Sequence, residues 1–242
     1  GYPTRSDISE AILSEIRSSA KNYIKDMNSF SDVVQAYLDA VVDTKKNLVR
    51  QIKENFEYRY NIDLEIYRNI INSKYFETIF TINFDGILEN NFSDKIEKIT
   101  PYEMKEISDN KIGYYKFLGD IASIGTVFIS SQDIRKLKTL DFYTEFFQKV
   151  REQFTLRPTL FLGVNLEDSD LLNILDFILT PIKDLQSIYM VTSTTIISSK
   201  SAELISKYNI KLITSGTKDF IDYFKELSES ENKVLTEKKF VW

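Results

Sequence analysis

One stretch of this chain, TLFLGVNLEDSDLLNIL at residues 159–175, constrains the fold more than any other. Its first residues form a short apolar run that is typical of a buried strand. Gly163 ends the run, and a residue without a side chain lets another group approach the backbone closely. Asn165, Asp168 and Ser169 follow, and each can cap the helix that the later leucine spacing predicts. Strand, glycine turn and capped helix are the parts from which α/β sheets build ligand crevices, although an ordinary βα unit has the same parts.

The bulk composition fits one α/β domain. The chain has 242 residues, of which 43% are hydrophobic, and this is enough to bury a sizeable core. Its formal net charge is −5, which disfavours nonspecific binding to nucleic acid. It has neither an apolar run of the roughly 20 residues that cross a membrane nor a signal-peptide pattern. We therefore expect a cytoplasmic protein with no membrane segment and no direct binding to nucleic acid.

Cysteine and histidine are both absent from the chain. Without cysteine there is no disulfide, no thiol nucleophile and no four-cysteine zinc site. Without histidine the commonest general base and the commonest metal ligand are missing, so Ser–His and Cys–His hydrolases are excluded. Any catalysis would rely on carboxylates, amides, tyrosine, lysine or backbone groups, and we expect no metal site.

The order of the elements indicates an α/β fold. Helical spacing dominates residues 6–73 and includes one long helix from Asp32 to about Phe56. Apolar runs typical of strands then alternate with helical patterns, and the predicted strands are 77–84, 98–100, 113–118, 126–130, 159–162, 187–192 and 210–214. This alternation predicts a doubly wound, mostly parallel Rossmann-like sheet with an N-terminal helical layer. We expect one domain over residues 1–228, whose last helix covers 219–226, and a charged tail or linker over 229–242.

Polar residues follow the apolar runs at the ends of three predicted strands. The motifs are TINFD at residues 81–85, KFLGD at 116–120 and FLGVNLEDSDL at 161–171. Because the carboxyl ends of parallel strands meet at one edge of a sheet, we expect the three turns to share a rim. Turn chemistry alone also explains such residues, and for Asp168 and Asp170 helix capping is the better interpretation.

Together these motifs resemble the bacterial sirtuin-like domains, a NAD-consuming family found in anti-phage defence proteins. TINFD is similar to the family's Thr-Thr-Asn-Tyr/Phe-Asp motif, and KFLGD to its Lys-Leu-His-Gly-Asp motif. TVFISSQDI at 126–134 and FLGVNLEDSDL match later motifs, so the resemblance runs from residue 1 to about 227. The family opens with a strand, a Gly-Ala-Gly-x-Ser phosphate loop and a Gly-x-Pro-Thr segment, and GYPT at 1–4 fits only the last. The resemblance therefore implies that the first strand and the glycine-rich loop lie upstream of residue 1.

The resemblance implies a role for each matching residue. Asn83 would hold a water or the nicotinamide ribose near the scissile bond, and Asp85 would orient that amide or the nicotinamide carboxamide. Gly163 would let the backbone meet the adenosine ribose, which Asn165 would contact. The implied reaction is cleavage of the nicotinamide–ribose bond of NAD through an oxocarbenium-like state.

Further cofactor-binding positions are implied by the same resemblance. Gly119 and Asp120 would border the NAD at the end of the KFLGD motif, while Ser215 and Gly216 would flank the adenine. Such a site works by positioning, desolvation and stabilisation of developing positive charge. No metal takes part in it.

Two departures from the family pattern bear on activity. Leu118 stands where the family has the histidine that takes a proton from a ribose hydroxyl, and a leucine cannot accept one. The glycine-rich loop is missing as well, and its backbone N–H groups are what such folds use to hold a pyrophosphate. A protein deacetylase is disfavoured separately, because that related branch carries a four-cysteine zinc ribbon.

Three interpretations of function therefore stay open. The first is a NAD-binding domain whose glycohydrolase activity is impaired or absent, inside a larger defence protein. The second is an active NAD hydrolase in which Asp85, Asp120 or a tyrosine replaces the histidine. The third is a non-enzymatic interaction module, whose partner would be a further domain beyond Trp242 or a second copy of the chain.

Overall fold

The computed structural model describes residues 5–15, 29–40, 43–57, 63–193 and 197–238. Helices precede the first strand in these ranges, as predicted, and they are α1 (Arg5–Glu15), α2 (Phe30–Ala40), α3 (Lys45–Glu57) and α4 (Glu65–Asn72). The remaining helices are α5 (Ile87–Phe92), α6 (Ser131–Lys136), α7 (Asp141–Leu156), α8 (Ser169–Leu179), α9 (Ser199–Lys207) and α10 (Thr217–Lys238). None of the described helices is long and apolar enough to cross a membrane. The GYPT match concerns residues 1–4, and the end of the predicted tail concerns residues 239–242. Both segments lie outside the described ranges.

The long helix predicted from Asp32 to Phe56 is instead two helices, α2 and α3. The local reason lies at Thr44, whose side-chain oxygen accepts a hydrogen bond from the backbone N–H of Asn47 at 3.2 Å. Asp43 in turn accepts from the backbone N–H of Thr44 at 2.7 Å. Side-chain bonds of this kind cap a new helix, and an uninterrupted apolar stripe does not reveal them.

The strands confirm the prediction of an α/β fold with parallel pairing. They are β1 (Thr78–Thr81), β2 (Ile96–Ile99), β3 (Ile112–Lys116), β4 (Thr159–Phe161), β5 (Ile188–Thr192) and β6 (Lys211–Thr214). Hydrogen bonds join them into two three-stranded sheets, in the orders β1-β3-β2 and β4-β5-β6, and neighbouring strands within each sheet are parallel. Among the described residues, the single continuous sheet expected from the sequence is thus present as two three-stranded sheets.

Helices cover both faces of the first sheet, because alternate residues of β3 point to opposite sides. Tyr115 packs into the main core beside α7, where its ring centroid lies 5.9 Å from that of Phe146. Tyr114 joins a separate cluster with Ile71 of α4 and Leu88 of α5. This two-sided burial is what makes β3 apolar throughout, and it is typical of doubly wound folds.

The strand predicted at 126–130 is wrong. Residues Ile124–Thr126 form one turn of 3₁₀ helix, and the extended segment that follows leads into the N-terminus of α6. The backbone N–H groups of Ile129 and Ser130 donate to the Asp133 carboxylate at 3.1 and 3.2 Å, so a capping side chain takes the donors that a sheet would need. Ile129 is buried all the same, and its burial explains the misleading apolar pattern.

The C-terminal helix is longer than the sequence predicted. α10 continues through the polar residues 228–238, a stretch that the sequence predicted to be either a helix end or a linker, and the helix end is what the structure shows. Aromatic contacts hold its first half against the segment before β1, with the ring of Phe224 5.1 Å from Tyr75 and 5.5 Å from Phe76.

Two glycines of the strand-end turns have positive φ for different reasons. Gly119 has a φ of 85°, and a Cβ built there would lie 2.1 Å from the carbonyl oxygen of Thr126. Gly163 has a φ of 63°, and a Cβ there would meet nothing within 4 Å. Replacement of Gly119 is therefore opposed by the backbone conformation and by a steric clash, whereas only the first applies at Gly163.

We expect Gly163→Ala to lower the free energy of unfolding by about 1 kcal/mol, the cost of a left-handed backbone for alanine. Gly119→Ala should cost about 3 kcal/mol, because the backbone around Thr126 must also move. Urea unfolding of both variants measures the difference. Equal losses in the two variants would contradict the close approach of Thr126.

Candidate functional site

The turns that follow β1 and β3 lie against each other. The backbone N–H of Ile121 donates to the carbonyl of Phe84 at 2.8 Å, which joins the KFLGD turn to the loop of residues 82–86, here called the Asn83 loop. Asn83 itself is exposed at the tip of that loop. The Asp85 carboxylate accepts from the backbone N–H of Ile87 at 3.0 Å and so caps α5. Two of the three predicted turns thus meet at one edge, as the sequence led us to expect.

The side chain of Lys116, the last residue of β3, contacts both turns and links them. Its side chain is fully buried, and its Nζ donates to the carbonyl oxygen of Asp85 and to Glu89 Oε1, each at 2.5 Å. The carbonyl of Phe84 lies 3.5 Å away and Asp120 Oδ1 3.4 Å away. A buried cation needs partners of this kind, because an unpaired charge away from water is very costly.

Burial and the lysine charges together set the ionisation of the carboxyl groups around Lys116. Burial raises the pKa of Asp85 and of Glu89 above their ordinary values, and the nearby Lys116 charge offsets this only in part. Burial also acts on Asp120, but there the charge of Lys116 and a hydrogen bond from Lys98 outweigh it and lower the pKa. Asp120 is therefore held as a carboxylate, whereas Asp85 is a carboxyl group that gains a proton more readily than usual.

Leu118 is packed inside the protein. It is 1% exposed and belongs to the main core, together with Phe117 and Phe128. Its carbonyl accepts from the backbone N–H of Phe128 at 3.0 Å, which fixes the turn after β3 in which it lies. Leu118 is therefore a packing residue in this chain.

The third predicted turn lies at the ends of β4 and β5 and borders a pocket. We call residues 162–168 the Gly163 turn; Asn165 Oδ1 accepts from the backbone N–H of Glu167 at 3.0 Å within it. The pocket has a volume of about 360 Å³, and its lining residues are Gly163, Val164, Asn165, Leu166, Glu167, Val191, Thr192, Ser193 and Thr217. Ser215 borders this region, because its backbone N–H donates to the carbonyl of Thr192 at 3.1 Å. Ser215 and Gly216 themselves do not line the pocket.

A larger and more open cleft of about 440 Å³ lies elsewhere, along α7 and the segment after α8. Arg151, Glu152 and Asp184 are among its lining residues, and none of the strand-end groups reaches it. Ligands of parallel α/β sheets bind at the carboxyl ends of the strands, so the smaller pocket is the better candidate despite its volume.

Asp168 and Asp170 have the capping roles that the sequence favoured, but on different helices. Asp168 accepts from the backbone N–H of Asp170 at 2.9 Å and so caps its own helix, α8. Asp170 is buried and accepts from the backbone N–H of Ser31 at 3.0 Å, at the start of α2. The hydroxyls of Ser29 and Ser31 also donate to Asp170, at 3.0 and 2.6 Å.

Arg5 of α1 connects the Asn83 loop with the Gly163 turn. Its guanidinium donates to the carbonyl of Ile82 at 3.3 Å and to the Asp168 carboxylate at 3.1 Å, and it lies over the ring of Phe30. The two halves of the predicted rim are thus joined by one side chain. The 360 Å³ pocket belongs to the Gly163 half alone and includes neither Asn83 nor Asp85.

Sequence reasoning missed the residues that organise both halves, namely Lys116, Glu89 and Arg5. A lysine inside the otherwise apolar run GYYKFL was a usable signal, because a charge in a strand buried on both faces must be paired. No comparable signal marks Arg5, whose partners lie 77 and 163 residues away. Among the described residues, no group of three or more potential ligand side chains could hold a metal ion.

Comparison with known proteins gives the family. A model of the SIR2-like domain matches residues 77–213, which is more than half of the chain. The chain belongs to the SIR2-like family. This match includes both the Asn83 loop and the Gly163 turn and indicates a NAD-related function, while the N-terminal helices lie outside it. No curated protein matches the chain in sequence.

We expect Lys116→Met to lower the free energy of unfolding by about 3–5 kcal/mol, because it leaves Glu89 buried without its cation and Asp120 with Lys98 as its remaining ion-pair partner. Lys111→Met is the matched control, since its ion pair with Glu97 at 3.6 Å is at the surface and should contribute at most about 1 kcal/mol. Urea unfolding measures both.

A second variant separates lost charge pairing from lost packing at Lys116. Adding Glu89→Gln to Lys116→Met should recover part of the loss, since it removes the buried carboxyl group that the first change left unpaired. If the double variant is less stable than Lys116→Met alone, the charge-pairing account is wrong.

Proposed function

We propose that this SIR2-like domain binds an NAD-type dinucleotide across the ends of its strands and cleaves it poorly or not at all. The observation that carries this proposal is the pairing of a pocket at the Gly163 turn with a buried Leu118 at the position of the family histidine. The pocket provides space for a nucleoside. Leu118 cannot act as the base that the family's reaction uses.

The adenosine half of the ligand would occupy the pocket beside Gly163. The volume of about 360 Å³ lies within the roughly 300–1,000 Å³ of typical ligand pockets. Gly163 offers open space where any other residue would place a side chain, and the exposed Asn165 can reach a ribose hydroxyl. The N-terminus of α10, at Thr217, adds backbone donors on the adenine side.

The nicotinamide half would lie at the Asn83 loop. Asn83 is exposed there, and Asp85 is fixed by its bond to the backbone of Ile87 and by Lys116, which holds its carbonyl. Fixed polar groups cost little reorganisation when charge develops on a ribose. A bound dinucleotide would supply the scissile bond, and these residues would orient it and exclude water.

The carboxylates at the site differ in their fitness as a general base. Asp120 is paired with both Lys98 and Lys116 and has a lowered pKa, so it is a weak proton acceptor. Tyr114 is buried and its pKa is raised well above the ordinary value, so it stays protonated. Of Asp85, Asp120 and Tyr114, this leaves Asp85 as the better candidate base.

An active hydrolase that uses Asp85 is therefore the second candidate function. The supporting observation is the raised pKa of Asp85, since burial of a carboxyl group brings its pKa closer to the operating pH of a general base. A cytoplasmic location, a role in anti-phage defence and a partner domain or second copy stay predictions of the sequence.

We expect isothermal titration to detect binding of NAD and of ADP-ribose, and Ser193→Trp to weaken both at least about tenfold by filling the pocket. Ser187→Trp is the matched control. Ser187 is exposed and adjoins the opposite end of the same strand, β5, so this change should leave the affinity unaltered. Equal effects of the two variants, or no binding by the unmodified chain, would refute the proposed site.

We expect NAD turnover to be about 10²–10⁴-fold below that of an enzyme with a general base. Any residual turnover should rise with pH through the raised pKa of Asp85, since a base acts in its ionised form, and Asp85→Asn should remove that dependence. Fast turnover that survives Asp85→Asn would contradict both candidate functions.

A further inference from the structure

Two carboxyl groups lie beside the same buried cation at the start of α5. Asp85 precedes the helix by two residues, and Glu89 lies in its first turn. The Nζ of Lys116 donates to Glu89 Oε1 and to the carbonyl of Asp85, each at 2.5 Å. The Lys116 side chain is fully buried, and that of Glu89 is only 15% exposed. Water therefore screens the charge of Lys116 little, and that charge acts on both carboxyl groups.

The charges around Lys116 do not balance when every group is ionised. Lys98 and Lys116 supply two ammonium groups, while Asp85, Glu89 and Asp120 supply three carboxyl groups. We call these five residues the Lys116 cluster. Full ionisation would leave the cluster with one excess negative charge in a largely buried position, which is costly. One proton held by a carboxyl group would make the cluster neutral.

Asp120 is the carboxyl group of the Lys116 cluster that stays ionised. Both lysines pair with it, Lys98 through Oδ2 and Lys116 at 3.4 Å from Oδ1. Its Oδ1 also accepts from the backbone N–H of Ala122 at 2.9 Å. These partners lower the pKa of Asp120 although the side chain is buried. The proton that balances the cluster therefore belongs to Asp85 or Glu89.

Neither of these two residues is fully stabilised as a carboxylate. Oε2 of Glu89 is buried and has no hydrogen-bond partner within the described part of the chain. The Asp85 carboxylate accepts from the backbone N–H of Ile87, but Lys116 bonds to the Asp85 carbonyl and not to its carboxylate. Burial raises the pKa of both residues. Two acids that depend on one cation titrate as a pair, and their apparent pKa values belong to the pair.

Two tyrosines face the pair from neighbouring elements. The pKa of Tyr114 on β3 is raised well above its ordinary value by burial and by the charges of Glu89 and Asp85. The pKa of Tyr67 on α4 is raised by burial and by the charge of Asp85. Both phenols therefore stay neutral and supply no charge that would balance the cluster.

We propose that Asp85 and Glu89 share one proton beside Lys116, so that Glu89 sets the ionisation of the candidate base. While one of the two carboxyl groups holds the proton, the other is the carboxylate that balances Lys116. Glu89 acts through Asp85 and is a positioning residue. Its influence on turnover rests on the proposed function, whereas the shared proton is a property of the chain without ligand.

Carbon-13 NMR of the side-chain carboxyl groups tests the proposal across a pH series. In the unmodified chain, the signals of Asp85 and Glu89 should move in the same two steps. In Glu89→Gln, Asp85 should titrate in a single step at a pH at least about one unit lower, because Lys116 then faces one carboxylate fewer. Glu97→Gln is the matched control, since Glu97 pairs with Lys111 at 3.6 Å and its loss should leave Asp85 unchanged.

The reciprocal variant reads the same proton from the other side. In Asp85→Asn, Glu89 should titrate in a single step, again at lower pH than in the unmodified chain. This measurement keeps the test decisive if Glu89→Gln does not fold. A purely structural role of Glu89 would change stability without moving the titration of Asp85.

Unfolding provides a second measurement of the shared proton. The raised pKa values mean that the native chain holds a proton that the unfolded chain has already released above the ordinary pKa of carboxyl groups. Unfolding in this window therefore releases about one proton, and the free energy of unfolding falls as the pH rises until the native chain loses that proton too. Urea unfolding at several pH values should show this decline in the unmodified chain and in Glu97→Gln, but not in Glu89→Gln.

Two results would overturn the proposal. The first is independent single steps for Asp85 and Glu89, with Asp85 unmoved by Glu89→Gln. The second is an equal pH dependence of unfolding in Glu89→Gln and in the unmodified chain. None of these measurements needs a ligand, so an absence of NAD binding would refute the proposed function alone. NAD turnover whose Asp85-dependent pH profile is unchanged by Glu89→Gln would refute this inference and leave the proposed function standing.

Discussion

The buried ammonium of Lys116 is the interaction on which the first half of the site depends. It lies where β3 ends and binds two backbone carbonyls of the Asn83 loop, one carboxyl group of α5 and one of the KFLGD turn. Each of these groups would be costly to bury alone, and Lys116 stabilises them together, with Lys98 as a second cation beside Asp120. The position of Asp85 follows from this arrangement, since its carbonyl is among the oxygens that Lys116 holds.

The general fold could be predicted because its signals are local. Alternating apolar strands and amphipathic helices predict parallel pairing, and the glycines at 119 and 163 mark turns that do have positive φ. The errors arose where a polar side chain decides the outcome. Asp133 takes the donors of residues 129 and 130, and Thr44 starts a new helix within a continuous apolar stripe.

The sequence could predict which residues belong to the candidate site, but it could not predict the distances between them. Their order along the chain indicates which turns face one edge, and the Asn83 loop and the KFLGD turn do meet there. Distances between turns depend on partners far away in sequence, such as Arg5 and Asp168, and no local pattern reveals them. The same holds for Leu118: its motif suggested a catalytic position, whereas its surroundings make it part of the core. The separation into two sheets could not be predicted for a related reason. The apolar pattern of a strand is the same whether or not another strand pairs with its edge.

Asp170 connects the N-terminal helices to the segment that contains the Gly163 turn. It is the second residue of α8, whose N-cap Asp168 belongs to the Gly163 turn, yet its carboxylate holds the first residues of α2. A buried carboxylate with three donors has little freedom to exchange partners. Any displacement of α8 must therefore move the start of α2 with it or break these hydrogen bonds, so α2, which lies outside the SIR2-like match, is coupled mechanically to the Gly163 turn.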